Sequence, residues 1–312
     1  MKLQTNIILP HSEREIAYSD RMLFLGSCFS EHIAQKMYAA GFRVSTNPFG
    51  VLYNPLSILK CVQLLSGAGE FTDDYLVEND RLWFSYLHHG SFNAESKDEM
   101  SDVVKKSIEQ GKEQLANASV VIITLGTSWI YEHNGLVVSN CHKLPANNFV
   151  RRRLTLAQTV EALNQILMLL KDKTVIFTVS PIRHVKDGLH ENQLSKSILL
   201  LAIDALKDRA LYFPSYELMT DELRDYRFYA DDLLHPSPLA VQIIWERFAD
   251  TYFSKQTIEQ AREIEALYEA LQHRPLHKNT ATYEKFKQTT LNKLQTLKKR
   301  YSWLDFSADL LI

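Results

Sequence analysis

Glycine is scarce in this chain: 10 of 312 residues, about 3% where soluble proteins average ~7%. That excludes collagen-like and glycine-rich low-complexity organisation, and it makes each glycine that follows an apolar run informative. Cysteine is scarcer still. The three present, Cys28, Cys61 and Cys141, are an odd set without metal-ligand spacing, which excludes a disulfide framework and suits free thiols in a reducing compartment. Neither sign of charge dominates, with 35 Lys and Arg against 37 Asp and Glu and a net charge of -2, so nothing global draws the chain to nucleic acid or an anionic membrane. No apolar run approaches the ~20 residues of a membrane span, and the opening MKLQTNIILPHSER lacks a signal-peptide core. The cytoplasm is the expected location. A P-loop is also missing, because Ser66-Gly67-Ala68-Gly69 follows a helical run and reads as its stop. His88-His89, His133 and Cys141-His142 fit no standard zinc pattern, so no metal is expected.

What is present is a globular composition, 46% hydrophobic and 23% charged, long enough to bury a sizeable core. Through residue 253, short apolar runs alternate with amphipathic ones, the pattern of a mostly parallel sheet covered by helices on both faces. Strands are predicted at 22–25, 120–125, 174–179 and 210–213, with a weaker one at 42–45. Helices are predicted at 31–40, 55–65, 97–115, 156–170, 192–206 and 239–252. Two hairpins interrupt the alternation, at 75–88 turning near Asn79-Asp80 and at 129–138 turning at Asn134-Gly135, a type I′ signal. Both are expected beside the active face. Residues 254–312 read as a C-terminal helical hairpin, 258–271 and 282–301, packed on the main domain. The second helix carries Lys285, Lys287, Lys293, Lys298, Lys299 and Arg300, read as a solvated face, with a partner or nucleic-acid surface as the alternative.

Three places carry chemistry. Met22-Leu23-Phe24-Leu25 runs into Gly26 and then presents Ser27 and Cys28 where a helix begins, the position from which an α/β hydrolytic enzyme attacks. Asp232 and His235 stand three residues apart in a loop stiffened by Pro236 and Pro238, close enough for a carboxylate to orient an imidazole. Ser237 and Pro238 read as N-cap and first residue of the following helix. After the strand at 174–179, Arg183 can hold a carboxylate or phosphate, including those of an acyl-CoA, and His184 can serve as a second acid or base. Tyr212, Tyr216, Tyr226 and Tyr229 crowd the approach to the Asp232 loop.

Gly26-Ser27-Cys28-Phe29-Ser30 resembles the signature of the GSCFA domain, itself similar to the SGNH/GDSL hydrolase superfamily. Asp232 and His235, with the proline after them, resemble that superfamily's last block. The resemblance implies a flavodoxin-like three-layer α/β/α sandwich. Its register puts Cys28 on the nucleophilic serine, with Ser27 as rival; a helix N-terminus is expected to lower a thiol's pKa, which favours Cys28. It implies oxyanion donors at Gly50, after the second strand, and at Gly126-Thr127-Ser128, after the third. There serine replaces the superfamily's asparagine, so Thr127 or Asn54 is the alternative donor.

These residues together describe acyl transfer through an acyl-enzyme, on an acylated carbohydrate or small ester by resemblance, ending in hydrolysis or in transfer to a hydroxyl. An acyl-CoA donor is compatible with a thiol nucleophile and no resident cofactor is expected. The rival is a non-catalytic binding or scaffold protein on the same fold. Oligomeric state is open.

Overall fold

Apolar runs of three to six residues, too short for helices and rich in Val and Ile, build the centre of a computed structural model that describes residues 5–277 and 279–307. The strands are β1 (Arg21–Gly26), β2 (Arg43–Thr46), β3 (Leu76–Asn79), β4 (Leu82–Ser85), β5 (Asn93–Ala94), β6 (Val120–Leu125), β7 (Trp129–His133), β8 (Leu136–Val138), β9 (Val150–Arg153), β10 (Thr174–Val179) and β11 (Leu211–Phe213). The helices are α1 (Cys28–Ala39), α2 (Pro55–Leu65), α3 (Lys97–Asn117), α4 (Leu156–Leu169), α5 (Leu189–Asp204), the single turn α6 (Ser215–Glu217), α7 (Pro238–Tyr252), α8 (Lys255–Leu271) and α9 (Ala281–Arg300).

The central sheet has the order β11-β10-β6-β1-β2 and every neighbouring pair in it is parallel. Counting only these five strands along the chain, the order is 2-1-3-4-5, the doubly wound flavodoxin-like arrangement, whose strand order reverses between β1 and β6. Alternation along β1 splits the core: Leu23 and Leu25 join one apolar cluster with α2 to α5, while Met22 and Phe24 join another with α1 and α7. Fully burying one such side chain stabilises by roughly 1.5–3 kcal/mol. The result is a three-layer α/β/α sandwich. Beyond α7, α8 and α9 pack on each other and contribute Ile264, Leu267, Leu294 and Leu297 to the cluster that holds α1. The tail then returns along the sheet's end, where Tyr18 stacks on Phe42 at 4.3 Å and on Trp303 at 4.9 Å. Lysines 285, 287, 293, 298 and 299 are spread around α9 at 100° per residue and form no single stripe.

Both hairpins turn through paired positive φ, Asp80-Arg81 (51° and 65°) and Asn134-Gly135 (49° and 79°). Each gains a strand that the sequence reading lacked. β5 adds to β4 and β9 adds to β7, making two three-stranded sheets. Neither added strand shows a period-2 apolar pattern; β9 is Val150-Arg151-Arg152-Arg153, polar because its arginines meet aromatic and acidic partners. Only the second sheet stands at the candidate site. The first packs on α3, which corrects the expectation that both lie beside it. No helix among the described residues is long and apolar enough to cross a membrane.

Candidate active site

β1 ends where it must turn. Gly26 has φ 131°, its N–H donates to Asn47 Oδ1 at 2.9 Å, and its carbonyl accepts the Leu52 N–H at 2.9 Å. A Cβ at Gly26 would collide with the Thr124 carbonyl on the adjacent strand β6, so close approach and backbone conformation both demand glycine. The chain then enters α1 through Ser27, an N-cap whose side chain makes no capping bond, unlike Asn54, Thr155, Ser237 and Thr280 at other helix starts. The amides of Cys28 and Phe29 are thereby left to the Cys28 sulfur.

Cys28 Sγ lies 4.0 Å from His235 Nε2. His235 Nδ1 is 2.5 Å from Asp232 Oδ2, while Asp232 Oδ1 accepts the backbone N–H groups of Leu234 at 2.9 Å and His235 at 3.0 Å. Those three bonds, the two from backbone amides foremost, hold the Asp232 carboxyl down at about 2. The loop is pinned by Ala230 N–H to His235 O, Ser237 N–H to Phe228 O, and the Ser237 cap on Ala240 N–H, with Pro238 opening α7. Leu233 carries a positive φ of 59° within it. Arg183 compensates: its Nη2 donates to Leu233 O and its guanidinium lies 4.5 Å from the Tyr229 ring. Arg183 therefore braces the histidine loop through Nη2, while its Nε has no partner and the residue lines the cavity.

A cavity of 430 Å³ opens over Cys28 and His235 at the carboxyl ends of β1, β6 and β10, the switch point at which open α/β sheets take ligands. Trp129, Tyr131 and Arg151 of the second small sheet form one wall, the Arg151 guanidinium 4.0 Å above the Trp129 ring and paired with Asp187. A larger groove, 710 Å³, sits at the other end of the sheet beside Arg21, Arg43 and Trp303, and neither cysteine nor histidine lines it. No group of three His, Cys, Asp or Glu placed for a metal ion occurs among the described residues.

The sequence-predicted residues divide. Ser27, Asn54, Thr127 and His184 line the cavity with Cys28, Arg183 and His235. Ser27 is 1% exposed and its Oγ has no partner, so hydrogen-bond reach to the imidazole selects Cys28. Asn54 caps α2 through Oδ1 and donates one Nδ2 hydrogen to Ser57 Oγ. Thr127 Oγ1 is 3.0 Å from Ser195 Oγ and accepts the Trp129 N–H. His184 is held neutral at pH 7, its pKa pulled down to about 4 by burial and by Lys196 and His235. Two candidate oxyanion donors are corrected. The Gly50 N–H is spent on Asn47 O in a turn, and this glycine exists to admit the His89 side chain. Ser128 is fully buried, with its N–H and hydroxyl both donated to Ser195 Oγ.

The expected direction of the Cys28 pKa is also corrected. Burial, seconded by Glu31, raises it above the ordinary thiol value and outweighs the α1 amides and Lys196 that pull it down. In the resting protein Cys28 is a thiol at neutral pH. Lys196 itself was invisible to motif reading: it is 1% exposed on α5, its Nζ 2.7 Å from both Gly126 O and Ser180 O. Its signal in the sequence is a polar i, i+3, i+4 set, Asn192, Ser195 and Lys196, continuing the buried stripe of Leu199, Ala202 and Ile203.

The fold and these distances define a doubly wound α/β protein with a cysteine–histidine–aspartate relay at its topological switch point. Residues 21–248 match the GSCFA family and residues 264–312 match the GSCFA domain protein, C-terminal domain. The chain belongs to the GSCFA family. No curated protein sequence matches it.

Proposed function

We propose that this protein transfers acyl groups through a thioester on Cys28. The observation that carries the reading is the relay itself, Sγ to Nε2 at 4.0 Å and Nδ1 to Oδ2 at 2.5 Å, opening onto a cavity at the switch point. The sulfur contact is long for a formed S–H···N bond, as resting sites often are before substrate closes them. Because Cys28 rests as a thiol, His235 takes its proton as Sγ bonds to the acyl carbon, and Asp232 fixes the imidazole tautomer and stabilises the imidazolium. The carbonyl oxygen becomes an oxyanion beside the α1 amides, the Ser27 hydroxyl and the Asn54 side-chain amide. Collapse breaks the bond to the leaving group, which takes the proton from His235. Water or an acceptor hydroxyl then attacks the thioester, giving its proton to His235; the acyl carbon–Sγ bond breaks, the acid or new ester leaves, and His235 returns the proton to Cys28 Sγ.

Eight buried polar atoms in the described residues lack hydrogen-bond partners, and four of them, Ser27 Oγ, Trp129 Nε1, Arg183 Nε and His184 Nε2, belong to residues lining this one cavity. Such atoms are costly unless a ligand satisfies them. Two can only donate and the hydroxyl can, so the substrate presents oxygen acceptors. Acylated carbohydrates and small esters meet that requirement, and the order of the Gly26-Ser27-Cys28 and Asp232-x-x-His235 blocks, which resembles SGNH/GDSL hydrolases, supports the ester class. An acyl-CoA is the corresponding donor for the transfer branch. The test is p-nitrophenol release from its acetate ester, with mass analysis of the Cys28 peptide after incubation with acetyl-CoA. Cys28→Ala is expected to abolish turnover while Ser27→Ala retains it; turnover that survives Cys28→Ala, or a parent protein inert to every acyl donor, refutes the reading.

A further inference from the structure

Three polar side chains lie along the inner face of α5 where apolar ones would pack, and each grips a different part of the sheet's carboxyl edge. Asn192 Oδ1 accepts the His184 N–H at 3.0 Å, Ser195 Oγ accepts the Ser128 N–H at 2.8 Å, and Lys196 Nζ donates to the carbonyls of Gly126 and Ser180. All three residues are at most 2% exposed. Gripping two carbonyls needs only neutral donors, yet the fold places a titratable amine there, which its burial leaves only partly protonated at neutral pH. No carboxylate lies within ion-pair distance of it among the described residues, and an unpaired buried cation is expensive.

The ionisable groups that sense Lys196 are Cys28 on α1 and His184 in the loop after β10, and the Tyr216 ring lies 5.6 Å from its Nζ. Cys28 in turn is faced by Glu31 and the amides of its own helix, by Tyr53, by His235 and by Lys196. Glu31 opposes a thiolate, and Lys196 is the lysine that favours one.

We infer that Lys196 is a positioning residue that supplies the counter-charge for the Cys28 thiolate while its bonds to Gly126 and Ser180 hold the edges of the cavity in place. Lys196 sits behind Ser180, which lines the cavity with Cys28, so negative charge on the sulfur and positive charge on the amine favour each other across that wall without direct contact. Burial draws the lysine down to about 7 and the thiolate draws it back up, so the two groups reinforce each other's charged forms. The catalytic meaning of this pair rests on Cys28 being the nucleophile; the coupling between amine and thiol does not.

The test follows iodoacetamide alkylation of Cys28 against pH, read on the Cys28 peptide because Cys61 is buried and burial raises Cys141 to about 11. Lys196→Met is expected to slow alkylation at pH 7 by about tenfold or more, one pKa unit being a factor of ten, with the gap from the parent narrowing only at pH values above the raised range of the Cys28 thiol. Lys196→Arg keeps the charge and is expected to restore the rate at pH 7. A Met variant with the parent's profile, or an Arg variant as slow as the Met variant, overturns the inference. If neither variant folds, the same coupling is read from the other side by 13Cε NMR of lysine: the Lys196 titration midpoint should rise in Cys28→Asp, which carries the negative charge through that pH range, and an unmoved midpoint overturns the inference. Absent acyl turnover together with an intact alkylation shift would sink the acyl-transfer reading and leave this one standing.

Discussion

Replacing Gly26 by alanine tests the elbow on which the whole site depends. A φ of 131° is a conformation that residues with a Cβ rarely adopt, a strain of ~1–3 kcal/mol. The added methyl would also sit inside the van der Waals shell of Thr124 O and 2.9 Å from Thr124 N and C, atoms of the central strand β6 that cannot retreat without breaking its pairing to β1 and β10. Overpacking of that kind costs ~1–3 kcal/mol. Gly26→Ala is therefore expected to lose about 2–6 kcal/mol, a large share of the ~5–15 kcal/mol of a typical domain. Urea unfolding followed by the fluorescence of the four tryptophans measures it. Gly135→Ala is the control, because its φ is 79° but nothing stands within 4 Å of the new methyl, leaving a backbone loss of about 1 kcal/mol. A Gly26→Ala loss no larger than that of Gly135→Ala would refute the steric argument and, with it, the reason given for a glycine before the nucleophile.

Asp232→Asn leaves the loop's backbone but cannot fix the imidazole tautomer, so the rate of Cys28 acylation is expected to fall about 10²–10⁴-fold with near-native stability; burst kinetics report the first and thermal melting the second. His88 is buried and bonded to Ser85 and Ser107, and burial holds it neutral down to about 3, whereas in the unfolded chain it takes a proton near 6.5. Between those pH values the unfolded state binds the extra proton, so stability falls as pH falls, by up to about 1.4 kcal/mol per pH unit from this group. The slope of stability against pH should be shallower in His88→Gln, and an unchanged slope counts against the assignment.

β1, β6 and β10 were readable because each is a short apolar run buried on both faces, and all five central strands, the half-buried β2 and β11 included, were placed within a residue of their ends. Caps at Ser237 and the Asn134-Gly135 turn were readable because they depend on neighbours in sequence. β5 and β9 were not, since their pairing is decided by strands elsewhere in the chain and their side chains carry no apolar alternation. Gly50 and Ser128 stood at plausible distances after strands, yet a backbone N–H or hydroxyl is available to a ligand only if nothing nearer in space accepts it, and Asn47 and Ser195 do.

By itself the sequence determined a mostly parallel sheet with helices on both faces, the elbow at Gly26-Ser27-Cys28 and the Asp232–His235 pair, because hydrophobic period, glycine tolerance and three-residue spacing are local properties. Tertiary structure alone decided that Cys28, not Ser27, faces His235, that the thiol is raised by burial rather than lowered by its helix, and that Lys196 lies unpaired behind it. Those outcomes depend on desolvation and on charges brought together from distant parts of the chain, and neither is written in the spacing of residues along it.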